Sequence, residues 1–193
     1  MSQINKLIES LENFAREEKI VKEFLEIFKE SGEERRKKWE EFKNKYCPGK
    51  DLCRVEDILK NQLEGYLKRK LYQVYSDKNK VRLSKKFFEV DTYTDLRVDL
   101  NENTTVFIEL KLNYPPKDNG SSYKNWGYEE FIALKEKFDY VNQGSILILF
   151  IIDAVVRRRL ERDEIHLLRK AEHISVRIVR IFLNNNTFEI EVI

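Results

Sequence analysis

Ile4, Leu7, Ile8, Leu11, Phe14, Val21, Leu25 and Phe28 recur mostly at steps of three and four between charged neighbours. That spacing predicts one long amphipathic helix, ended by Ser31-Gly32. A second helix from about 33 to 46 carries Trp39, Phe42 and Tyr46 on one stripe, so residues 1–47 read as a helical hairpin appendage. Such an appendage is either a dimerisation or substrate-clamping arm or a cover for a sheet. Cys47-Pro48-Gly49-Lys50-Asp51 is the clearest punctuation in the chain, because Pro and Gly stop a helix and Asp can cap the next one. It sets the expected boundary between the appendage and a domain over 48–193.

From about 52 to 75, Val55, Ile58, Leu59, Leu63, Leu67, Leu71 and Val74 predict a further helix. The period then changes from helical to alternating, with strands expected over 81–90, 96–100 and 105–112 and a turn at Asn101-Glu102-Asn103. A helix over 128–141 should turn Phe131, Leu134 and Phe138 inward. Ile146 to Ile152 is apolar on both faces and belongs in the middle of a covered sheet. A basic helix over 157–171 and a strand pair over 174–183 and 188–193, turning at Asn184-Asn185-Asn186, complete the chain. The expected fold class is α/β (α+β mixed sheet), a central mixed sheet flanked by helices.

With 193 residues, 41% hydrophobic and 36% charged with the signs interspersed, the chain can form one core and is not disordered. A net charge of +2 excludes a surface that is basic throughout, leaving only local patches for phosphate. No apolar run reaches the roughly 20 residues that a membrane helix needs, and the first residues lack the basic start of a secretion signal. A cytoplasmic protein is therefore expected. Cys47 and Cys53, with His166 and His173 far away, make no four-ligand zinc pattern; they are two ordinary thiols or a local disulfide.

The chemistry concentrates in the expected hairpin. Leu96, Val98 and Leu100 alternate with Arg97, Asp99 and Asn101, and Ile108, Leu110 and Leu112 alternate with Glu109, Lys111 and Asn113. Pairing Asp99 with Glu109 across a short loop puts both carboxylates and Lys111 on one face. Two adjacent acids repel and need a positive partner. Lys111 supplies one charge; a divalent cation held by carboxylates and the Leu110 carbonyl supplies more. The plainer alternative is a solvated hairpin face with a cross-strand ion pair.

Val98-Asp99-Leu100, with nine residues between Asp99 and a Glu109-Leu110-Lys111 string on an apolar strand, resembles the PD-(D/E)XK nuclease superfamily, with its restriction-endonuclease-like fold, over residues 52–155. Val98 stands where the motif has Pro. The resemblance implies a DNA endonuclease that uses Mg²⁺, with Mn²⁺ able to substitute. Asp99 and Glu109 would hold the ion, and Lys111 would orient the water. It also allows a homodimer. The family often adds a Glu from the first helix, and Glu56 suits that place because it falls on the stripe of Leu52, Leu59, Leu63 and Leu67. The first-turn helix dipole explains an acid there equally.

Substrate cations are expected at Lys68, Arg69, Lys85, Lys86, Arg157 and Arg158. Residues 51–90 hold ten basic against six acidic side chains, while 91–153 are acidic by eleven to six. An acidic centre flanked by basic segments suits DNA. The rival reading is a non-catalytic nucleic-acid-binding or assembly module that retains the fold.

Overall fold

A computed structural model describes residues 2–49, 55–76, 81–82, 91–92, 94–114, 132–133, 135–136, 139 and 144–193. The chain begins with α1 (Gln3–Glu17), α2 (Lys19–Ile27), α3 (Gly32–Tyr46) and α4 (Val55–Arg69). Strands β1 (Gln73–Ser76), β2 (Val81–Arg82), β3 (Asp91–Thr92), β4 (Leu96–Asn101), β5 (Thr104–Asn113) and β6 (Ile146–Asp153) follow. Helix α5 (Arg162–Arg169) and strands β7 (Ser175–Asn184) and β8 (Thr187–Val192) close it. The fold is mixed α/β: a six-stranded sheet in the order β1-β4-β5-β6-β7-β8, with helices on its faces. Strands β5, β6 and β7 run parallel, and antiparallel partners flank them. β2 and β3 pair separately.

The long first helix expected from the sequence is two. Leu7, Leu11, Phe14, Val21, Leu25 and Phe28 continue a seven-residue apolar repeat in which position 18 belongs to the stripe. Glu18 occupies it. An unbroken helix would turn that carboxylate into the core, so the backbone leaves helical geometry at Glu18 (ψ 118°). Its carboxylate meets Arg69 at 2.9 Å instead. The N-terminal segment is therefore three helices, and Leu7, Phe14, Phe24 and Phe42 share one core with α4 and the sheet residues Val98, Ile108 and Phe150.

The fourth helix ends earlier than its apolar spacing predicts. Leu71 takes a left-handed conformation (φ 68°), and the N–H of Tyr72 donates to the Leu67 carbonyl, as in a helix C-cap. Val74, expected on the helix, is buried from β1. The strand expected over 81–90 and the inward Phe131, Leu134 and Phe138 fall largely or wholly outside the described residues; Ile132, Ala133, Lys135, Glu136 and Asp139 are helical. The basic helix begins at Arg162 rather than 157. Cys47 is disulfide-bonded, and its partner lies outside the described residues.

β6 is covered on both sides, as its sequence requires. Ile148, Phe150 and Ile152 face α1, α2 and α4, while Leu147, Leu149 and Ile151 face Leu160, Leu168 and Ile132. Among the described residues no helix is long and apolar enough to cross a membrane.

Candidate functional site

The geometry turns on the register of the β4–β5 hairpin. Asn101 faces Thr104 across Glu102-Asn103, and the Asn101 carboxamide oxygen accepts the Asn103 N–H at 2.9 Å. A bulge at Leu100 then shifts the register, giving Asp99↔Thr105, Val98↔Val106 and Leu96↔Ile108. The bulge is needed because a two-residue turn alone would pair odd with even positions and set Leu96 and Val98 against the wrong face.

Asp99 is consequently not opposite Glu109. Its carboxylate is held by Arg97 (3.0 Å) and the Thr105 hydroxyl (2.8 Å), on the wall of a separate cavity of about 640 Å³ between α1, the α4–β1 turn and the hairpin. Four strand residues, or about 13 Å, separate it from the level of Glu109. The register continued past Leu96 puts Asp95 there. Asp95 Oδ2 accepts the Leu110 N–H at 2.8 Å, and Oδ1 lies 3.3 Å from Lys60 Nζ. Sequence reasoning missed Asp95 because a slip of four residues conserves the side on which every side chain points.

Glu109 is 5% exposed and lies 3.0 Å from Lys111 Nζ. Burial first, and then the neighbouring Asp95 carboxylate, push Glu109 up to about 8 against the attraction of Lys111. Glu56, on the first turn of α4, reaches Lys111 at 4.0 Å. Lys60, which the sequence reading did not single out, lies one helical turn later on the same face; its spacing of four from Glu56 is the signal that could have found it. The structure thus brings together Glu56, Lys60, Asp95, Glu109 and Lys111 from one helix and one hairpin. The Leu110 carbonyl faces the Asp95 side, since the N–H and C=O of one strand residue share an edge.

The expected DNA-binding cations are more scattered. Lys68 pairs with Glu64 and Arg69 with Glu18, at the end of α4 about 20 Å from Glu56. Arg158 is paired with Glu164, and Arg157 donates to the Phe28 carbonyl. Lys85 and Lys86 lie outside the described residues. A buried network escaped the sequence reading altogether. Arg180 and Asp153, both fully buried, meet at 2.9 Å, and Asp153 accepts the N–H groups of Val155 and Val156 and the Asn113 amide. It fixes the loop after β6, whose Ala154 N–H donates to the Asn113 carbonyl.

As these side chains stand, no three His, Cys, Asp or Glu residues among those described are close enough to hold a metal ion. The donor chemistry nevertheless fits one. Asp95, just before β4, and Glu109 and the Leu110 carbonyl on β5 are hard oxygen donors, and a buried acid next to a second acid is stabilised by added positive charge. Lys60 and Lys111 supply that charge here.

No protein-family model matches the chain, and no curated protein does. Among solved structures it is similar to that of SfsA from Pyrococcus furiosus in complex with Ca²⁺, with a TM-score of 0.38 and 11% identity. The match covers 72% of this chain and 63% of that one, so the chain spans less than two thirds of its length.

Proposed function

We propose that the protein is a Mg²⁺-dependent DNA endonuclease of the PD-(D/E)XK type, with Asp95 in the place that the sequence suggested for Asp99. The single observation that carries this reading is the meeting of Asp95 and Glu109 across the hairpin, with Lys111 two residues further on the same face. Asp95, Glu109 and the Leu110 carbonyl would hold the ion, with Glu56 as a further ligand for the ion or its water. A bound Mg²⁺ would polarise a phosphoryl oxygen and acidify a water. Lys111 orients the attacking water and counters the charge growing on phosphate. Lys60, fixed against Asp95, keeps that carboxylate aimed into the site. Residues 48–193 would form the nuclease unit and 1–47 an addition packed on it.

The test is cleavage of end-labelled duplex, single-stranded and branched DNA with Mg²⁺ or Mn²⁺. Metal-dependent cutting that Lys111→Ala removes supports the reading. Binding without cutting of any substrate by the wild type would instead favour a non-catalytic nucleic-acid module.

A further inference from the structure

Tyr114 directly follows β5, three residues beyond Lys111 and about 10 Å further along the extended chain. Its ring joins Phe24 (5.9 Å), Phe28 (5.9 Å) and Trp39 (5.8 Å), a cluster built by α2 and α3, yet it stays 41% exposed. Phe24, against which the ring packs, shares one core with α4, the helix that carries Glu56 on its first turn. Two guanidinium groups converge on the same corner. Arg35 lies 5.9 Å from the Phe28 ring centre, and Arg157 donates to the Phe28 carbonyl. Arg157 follows the loop that Asp153 and Arg180 hold against Asn113, which is next to Tyr114.

An exposed ring, backed by other aromatics and flanked by cations, is the arrangement that stacks an unpaired base while holding its phosphate. We infer that Tyr114 is the stacking platform for an unpaired nucleotide beside the scissile phosphate, with Arg157 taking the adjoining phosphate, so that the substrate is single-stranded or locally unpaired DNA. This rests on the nuclease reading for the identity of the site. It also gives the N-terminal helices a role in substrate choice, because α2 and α3 supply the rings behind Tyr114. A duplex, whose bases are already stacked on one another, offers this ring no free face.

The test separates the two readings by measuring binding in metal-free buffer, where no cutting occurs. Fluorescence anisotropy of labelled oligothymidylate and of a duplex of equal length is followed for wild type, Tyr114→Phe and Tyr114→Leu. Leucine keeps apolar bulk against Phe24 and Phe28 and removes the aromatic face, and thermal melting checks that the variant folds. Stacking predicts about tenfold weaker oligothymidylate binding for Tyr114→Leu. Near-wild-type binding is expected for Tyr114→Phe, and an unchanged duplex affinity for both. Equal losses on both DNAs, or no loss for Tyr114→Leu, overturn the inference while leaving the nuclease reading standing. Tyr114-dependent binding without cleavage by the wild type in Mg²⁺ supports the platform and removes the nuclease.

Discussion

Single residues carry strain and charge that can be read out one at a time. Leu71 is 92% exposed and holds a left-handed backbone (φ 68°), where an L side chain costs energy and glycine does not. Leu71→Gly should therefore stabilise the protein by about 0.5–1 kcal/mol, raising the melting temperature by roughly 1–4 °C. Asp139 illustrates the opposite sign. Burial would raise its carboxyl, but N–H groups of Glu172, His173 and Ile174 at 2.7–3.0 Å donate to it and hold it below the usual aspartate range. A depressed carboxyl contributes stability above its unfolded value and loses it as pH falls through the folded one. Asp139→Asn should cost about 1 kcal/mol at pH 7, discounted because the group is largely solvated. Urea titrations of wild type and variant should begin to converge as pH falls below about 4 and meet once it has passed the lowered Asp139 value.

At the scale of elements, the hairpin shows what the sequence could and could not disclose. Alternation in 96–100 and 105–112 places Glu109 and Lys111 on one face, as observed, but alternation repeats every two residues and is blind to a slip of four. Only the turn length and the bulge at Leu100 choose Asp95 over Asp99, and neither leaves an apolar signature. The break at Glu18 was missed, although a carboxylate in an apolar stripe was there to signal it. The Arg180–Asp153 pair was not, because a charged residue in a strand gives no sign of which side chain will meet it from a neighbouring strand. That pair ties β6 to β7 and holds the following loop. Removing one partner leaves a buried charge without compensation, so Arg180→Met should cost about 3–5 kcal/mol in denaturant unfolding.

For the whole molecule, the candidate site lies where the first turn of α4 meets the start of β4 and the middle of β5. Helices α1 and α2 pack beside α4 on the same sheet face. The sheet itself was foreseeable from its apolar strands, above all from Ile146 to Ile152. The position of the acids within it followed from register, and the central claim is that Asp95, not Asp99, works with Glu109 and Lys111. Nicking of labelled DNA in Mg²⁺ or Mn²⁺ by wild type, Asp95→Asn and Asp99→Asn tests that claim most directly. The account predicts a loss of more than about 100-fold for Asp95→Asn, beyond what outer-shell partners of a metal cost, and near-wild-type cutting for Asp99→Asn. Cutting that survives Asp95→Asn, or that Asp99→Asn abolishes instead, would contradict it.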